Sequence, residues 1–270
     1  MHICRRSPTG NSCHRGRRRE VLSPMNERTE AIVLHALRHT DTSTIVHAFT
    51  RKRGHLTFAV KGGSTSGKGS RGASGRRLLT RKLSLVEVDY GYIPGREVLR
   101  PTEVRSLHTF TAIDASPERG AMALFLSELL YRTLRFPTGD ERLFDFLRET
   151  VLALDDPATP MGNFHLVFLR GYAEMLGLSP HEGTYVAGSL FDPEEGMYVP
   201  SVRSTASSFP ADESSALHAL HGITYSESSS LRIDQGLKRR LLQSMIEYLR
   251  VHLGHFAPLR SLDVIYTLFA

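Results

Sequence analysis

Ala31-Ile-Val-Leu-His-Ala-Leu37, Thr44-Ile-Val-His-Ala-Phe-Thr50, Arg51-Lys-Arg-Gly54 and His55-Leu-Thr-Phe-Ala-Val-Lys61 follow one another almost without interruption. The first segment is short and apolar on both faces, which suits a buried strand better than a helix. The second follows the turn-like His39-Thr-Asp-Thr-Ser43. Arg51–Gly54 reads as a tight hairpin in which Gly54 takes positive φ. In the last segment Leu56, Phe58 and Val60 alternate with His55, Thr57 and Lys61, the mark of a strand showing its polar side outward.

Working outward, Leu83–Tyr90 is a further strand. Its apolar set shifts from Leu83 and Leu85 to Val86 and Val88, which predicts a β-bulge. Glu97–Val104 is edge-like, because Pro101 cannot donate to a ladder. Five short strands within roughly 75 residues, with one long basic loop, predict a small closed barrel. The five-stranded barrel of this size is the OB-fold, whose open face binds single strands.

Beyond residue 110 the apolar period becomes helical. Glu118–Phe136 sets Ala121, Leu124, Phe125, Leu129 and Leu134 along a helix that starts at Ser116-Pro117. Asp140–Leu154, Asn163–Leu178, Gln235–Leu253 and Ser261–Phe269 follow as helices. Tyr185–Val202 reads as a turn between short strands, followed by a serine-rich loop. The chain is therefore expected to be α+β, with an OB-fold barrel at 25–108 and a mainly helical domain at 109–270. A small hairpin is inserted at 184–210.

Charge separates the same halves. Between Asp41 and Glu87 stand ten basic residues and no acid: Arg51, Lys52, Arg53, Lys61, Lys68, Arg71, Arg76, Arg77, Arg81 and Lys82. The first 110 residues carry +13 and the remainder −7. Soluble surfaces normally mix both signs, so a one-signed folded face points to a polyanion. The ten residues are the expected nucleic-acid contacts, with Phe49, Tyr90 and Tyr92 as candidate stacking platforms. Phe58 is assigned to the barrel interior by its alternation. If about six of the ten touch phosphate, log K falls with log salt at roughly −4 for single strands.

Other classes find little support. Cys4 and Cys13 are the only cysteines and both lie in the N-terminal tail, which excludes a disulfide scaffold or thiolate metal site after it. No run approaches the ~18 apolar residues of a membrane span. Gly62-Gly-Ser-Thr-Ser-Gly-Lys-Gly69 nearly fits a phosphate-cradling loop. However, Gly69 stands where the magnesium-binding hydroxyl belongs, and no apolar helix is expected after it. The thirteen histidines are scattered without a metal-ligand pattern, and no catalytic triad element appears. Met1–Pro24 is arginine-rich but lacks an amphipathic helix or h-region. It reads as a disordered extension, or as the product of an upstream start with Met25 the real beginning.

Met25–Gly62 resembles the opening of the bacterial recombination mediator family RecO. In that family strands of the form A-I-V-L-H, T-S-x-I-V-x-x-F-T and G-x-L-x-x-V-x-K-G occur in this order, without gaps here. The resemblance continues through Leu83–Val104, Phe125–Leu134, Asn163–Leu169 with Leu176-Gly-Leu178, and Ser261-Leu262. It implies a cytoplasmic, nucleoid-associated and non-enzymatic protein that binds single- and double-stranded DNA and anneals complementary strands. The implied partners are RecR and the acidic C-terminal tail of single-strand-binding protein, in the loading of RecA; no membrane or cofactor is implied. Arg132 and Arg170 are candidates for gripping that tail as exposed arginines beside apolar helix surface. An RNA-binding OB module in RNA metabolism is the alternative reading, and a nucleotide-using enzyme a third.

Family members often hold four zinc-binding cysteines near residues 180–210. This chain has none there, so packing of Tyr185, Phe191 and Tyr198 is expected to hold the hairpin. A metal assay on the purified protein should accordingly find no stoichiometric zinc; about one zinc per chain would contradict this.

Overall fold

The computed structural model describes residues 25–61 and 70–269, with side chains from residue 75 onward in the second stretch. The expected basic extension at 1–24 and the Gly62–Gly69 loop with Lys68 lie outside the described residues.

Six strands form the first sheet: β1 (Met25–Thr40), β2 (Ser43–Thr50), β3 (Gly54–Lys61), β4 (Leu85–Tyr92), β5 (Val98–Leu99) and β6 (Pro101–Ser106). Their order is β5-β3-β2-β1-β4-β6. The long β1 pairs with β4 through its first half and with β2 through its second. At one end of the order β5 runs parallel to β3, and at the other β6 runs antiparallel to β4. Arg100 alone separates β5 from β6, so one chain segment carries both ends and the sheet curls back on itself. This is the OB-type arrangement expected. Its fifth strand is counted as two pieces because Val98–Leu99 pair with β3 and Pro101–Ser106 with β4.

The both-faced apolar character of β1 has a direct cause. Ala31 and Val33 point into the barrel with Val46, Phe58, Val86, Val88 and Tyr90. Ile32 and Leu34, with Phe49, Leu83 and Leu85, belong to the core shared with the helices. The same geometry corrects the bulge expected near Leu85. The β1–β4 register runs unbroken from Met25↔Tyr92 to Ile32↔Leu85, and the apolar set switches because Leu85 faces helices while Val86 faces the barrel. The irregularities lie instead in β1 opposite β2 and at Asp89/Tyr90 opposite β6.

A helix, α1 (Ser70–Thr80), joins β3 to β4. No apolar helix follows the glycine-rich loop, but a polar one does, which corrects the reading of this segment as part of a long basic loop. The segment SRGASGRRLLT has almost no apolar stripe, so the helical period is not visible in it. Tertiary contact supplies what propensity does not: Leu79 is buried in the barrel core, and a Cβ at Gly75 would come within 3.4 Å of Val104.

The helical part comprises α2 (Ala112–Ala115), α3 (Pro117–Thr133), α4 (Glu141–Asp155), α5 (Phe164–Met175), α6 (Ala211–Ala219), α7 (Gln235–His252) and α8 (Leu262–Phe269). Ser116 caps α3 ahead of Pro117, Asp140 caps α4 and Asp234 caps α7, each accepting a backbone N–H. Met122, Phe125, Leu126, Leu129 and Leu130 form the buried side of α3, whereas Leu124 is 38% exposed, against the sequence expectation. A second correction is α6, which lies in the segment read as a serine-rich loop.

The inserted hairpin pairs β7 (Leu190–Asp192) with β8 (Met197–Val199). Phe191 and Tyr198 are buried there, Tyr185 packs edge-on to Tyr198, and Phe191 meets Phe209 and Tyr248. Beneath them Glu182 accepts from Arg170 at 2.7 Å and pairs with His218 at 2.7 Å. Arg170 also lies 3.2 Å from His221 Nδ1. A fixed guanidinium among these donors does not fit a zinc site.

Two glycines let the barrel meet the helices. Gly54 has φ 61°, and a Cβ there would come within 2.7 Å of the Phe136 carbonyl, which accepts from His55 N at 3.0 Å. Gly139 makes the reciprocal approach to the Arg51 carbonyl. Gly54→Ala should cost more than about 1 kcal/mol in chemical denaturation; an unchanged midpoint would contradict this packing.

His165 on α5 is fully buried, and burial pulls its pKa down to about 3. A depressed histidine contributes stability that is complete above the unfolded value near 6.5 and declines as pH falls toward 3. The melting temperature should therefore drop below pH 6 in the natural protein and drop less in His165→Leu.

Candidate nucleic-acid interface

The expected contacts among the described residues divide between two places. Ser43↔Lys61 and Thr50↔Gly54 close opposite ends of the β2–β3 ladder, so Lys61 and the Arg51–Arg53 hairpin stand roughly 24 Å apart at strand rise.

At the hairpin end two of the three cations are engaged within the fold. Arg51 bridges Glu30 at 2.7 Å and Asp145 of α4 at 2.6 Å, and lies 4.6 Å over the Phe144 ring. Arg53 makes two hydrogen bonds to Glu27, at 2.8 and 2.5 Å, and sits 3.6 Å over Tyr92. Tyr90 donates its hydroxyl to the same Glu27 at 2.8 Å. Arg53 holds the Glu27 carboxyl below its usual range against the opposing effect of burial. Each guanidinium is raised in turn, Arg51 chiefly by Asp145 and Arg53 by Glu27. These groups join the barrel to itself and to α4. Only Lys52, at the hairpin tip, is exposed.

The other end is different. Lys61 is exposed where β3 stops, and Arg76 and Arg77 are exposed on α1. Lys82 is exposed directly after α1, whereas Arg81 is bound to Asp114 at 2.5 Å and lies 4.3 Å over Phe110. Arg71 falls on α1, with its side chain outside the described set. Among the described residues no ion pair involves Lys61, Arg76, Arg77 or Lys82, whereas Arg51, Arg53 and Arg81 all have carboxylate partners. The free cations thus gather on the connection between β3 and β4.

Two candidate stacking rings are corrected by their burial: Phe49 and Tyr90 are within 1% of complete burial and cannot receive a base, while Phe58 fills the barrel interior as its alternation predicts. Phe49 packs under Phe144 on the helical side, a contact that strand alternation alone does not reveal. Tyr92 is the third candidate ring, and Arg53 covers it. Arg170 is likewise buried rather than exposed, and Arg132 lies 3.5 Å from Glu128.

Sequence reasoning also passed over the surface beside Lys82. There His35, Tyr131, Arg132, Arg135 and Arg260 line one hollow with it. His35 stacks on Tyr131 at 4.5 Å and His47 stacks on His55 at 5.3 Å, so the outer face of β1–β3 meets α3 through rings rather than solvent. Burial first, then the neighbouring histidines and Arg135, lower His47 to about 4. These side chains come from segments as much as 225 residues apart, which leaves no local pattern to read.

Comparison with known proteins follows the same division. The model for the recombination protein O N-terminal domain matches residues 25–87, and that for the C-terminal domain matches residues 115–263. The DNA repair protein RecO of Bacteroides fragilis is 35% identical over 247 residues, covering 91% of this chain and all of the relative. Those of Phocaeicola vulgatus and Porphyromonas gingivalis are 34% and 32% identical, over 91% and 89% of this chain and 100% and 98% of the relatives. With a barrel and a helical domain in the matching order, and relatives that align from end to end, the chain belongs to the RecO family of recombination proteins.

Proposed function

We propose that this protein acts in DNA repair as a non-enzymatic recombination mediator of the bacterial cytoplasm. It binds single- and double-stranded DNA, anneals complementary strands and, with RecR, helps load RecA on strands coated by single-strand-binding protein, whose acidic tail it engages. The observation that carries this reading is the set of exposed cations at Lys61, Arg76, Arg77 and Lys82, without ion-pair partners among the described residues, on an acid-free segment of an OB-type barrel. Phosphate neutralisation gives affinity without sequence preference. It also lowers the repulsion between two strands held on one surface, which is sufficient for annealing. The relatives' name, DNA repair protein, supports the same role. Among the described residues no helix is long and apolar enough to cross a membrane.

The paired and unpaired cations should behave differently. Replacing Arg76, Arg77 and Lys82 by alanine should make the slope of log K against log salt for single-stranded DNA shallower by about 2, at roughly 0.7 per phosphate contact. Arg51→Ala with Arg53→Ala should leave that slope in place and lower the melting temperature. Annealing of complementary oligonucleotides, with and without single-strand-binding protein, should fall with the first set only. An unchanged slope in the first variant would contradict the assignment. A preference for RNA over DNA of matched length would instead favour a role in RNA metabolism.

A further inference from the structure

Two hollows run along the side of α3 that faces Lys82. One of about 480 Å³ is lined by His35, Lys82, Tyr131, Arg132, Arg135 and Arg260, with Leu124 and Val264 at its margins. The other, of about 590 Å³, shares Lys82 and Leu124 with the first and extends to Ser116-Pro117 at the start of α3. Together they make one groove along most of a 17-residue helix, about 25 Å at helical rise.

The groove is cationic with little internal compensation. Glu128 is its carboxylate at the α8 end. It accepts from the backbone amides of Arg260 and Ser261 and from the Ser261 hydroxyl, at 2.7 to 3.2 Å, and lies 3.5 Å from Arg132. Asp114 at the other end is taken by Arg81. Lys82, Arg135 and Arg260 have no carboxylate of their own among the described residues, and Arg132 Nε is buried without a partner. The cations come from three places: the segment after α1, the C-terminal end of α3, and the segment before α8. Between them lie the Tyr131 and His35 rings, with Arg135 5.2 Å over Tyr131. Leu124 and Val264 are 38% and 40% exposed.

We propose that this groove receives a single nucleic-acid strand as it leaves the barrel, its phosphates against Lys82, Arg132, Arg135 and Arg260 and its bases toward the apolar margin at Leu124 and Val264. The inference rests on the proposed DNA-binding function and extends it onto the helical domain. Cations spread along a groove, with exposed apolar surface at its margin, suit a repeating phosphate chain. An acidic peptide ending in one carboxylate would need them gathered at a point. Continuity supports the same ligand, because Lys82 belongs both to the groove and to the exposed cations that follow β3.

His35 provides a local reporter. Burial, then Lys82 and Arg132, hold its pKa below the ordinary value, with Glu128 opposing; Tyr131 and His47 are its ring neighbours. A phosphate in the groove offsets those two cations and raises it.

The test uses the full chain, an oligothymidylate, and nuclear magnetic resonance of the histidine rings. Saturating oligothymidylate should raise the His35 pKa. Alanine at Arg132, Arg135 and Arg260 should make the salt slope shallower by about 2, at roughly 0.7 per contact. Arg260→Ala alone, at an exposed site, should show about a third of that change and guards against misfolding of the triple variant. If the natural protein binds with full slope while His35 and the variants' slopes do not move, the groove is not a strand site and the barrel reading stands. If the natural protein binds no DNA, both fall. If an acidic peptide shifts His35 and oligothymidylate does not, the groove belongs to a protein partner and the inference is overturned.

Discussion

Strand β1 is hydrogen-bonded on both sides, to β4 over its first half and to β2 over its second, and it is apolar on both faces where the two halves meet. A segment used in this way has nowhere to face water, which explains why Ala31-Ile-Val-Leu34 contains no polar residue. One face fills the barrel and the other seats α3, whose Ser127 donates its hydroxyl to the Leu34 carbonyl at 2.5 Å. Barrel closure, the attachment of the helical domain and the position of Lys82 after α1 all follow from this strand. Leu83, only one residue beyond Lys82, is tied to it by an N–H to the Val33 carbonyl.

The electrostatics follow from that frame. The acid-free stretch suggests one uniform cationic face, but the fold brings carboxylates to part of it from elsewhere. Glu27 and Glu30 arrive on β1 beside the hairpin, Asp145 on α4, and Asp114 on α2. Arg51 and Arg53 are thereby turned from potential phosphate contacts into struts, each with an aromatic ring beneath it. Partly buried, hydrogen-bonded pairs of this kind contribute more than exposed ones, because less water competes for the charges. The cations that remain exposed lie where β3 stops, on α1 and just after it.

What the sequence disclosed, and what it did not, divides along the same physical line. Strands with clean alternation, such as His55–Lys61, and helices with a capping residue, such as Ser116-Pro117 or Asp140, are legible because the signal is local. Helix α1 was not legible: its glycines, serines and arginines carry almost no apolar period, and it is held by Leu79 in the barrel. Helix α6 was hidden for the same reason among serines. The basic residues were all visible, but their division into paired and unpaired sets depends on partners up to 94 residues away. The ring-lined groove beside Lys82 has no sequence signature at all.

On the proposed function, single-stranded DNA engages the β3–β4 connection rather than the hairpin end of the barrel. Amide hydrogen exchange of the full chain, with and without saturating oligothymidylate, tests this most directly. Added protection is expected across Ser70–Leu83, with little change at Arg51–Gly54. Protection confined to the hairpin, or to α6 and α7 on the acidic half, would contradict it.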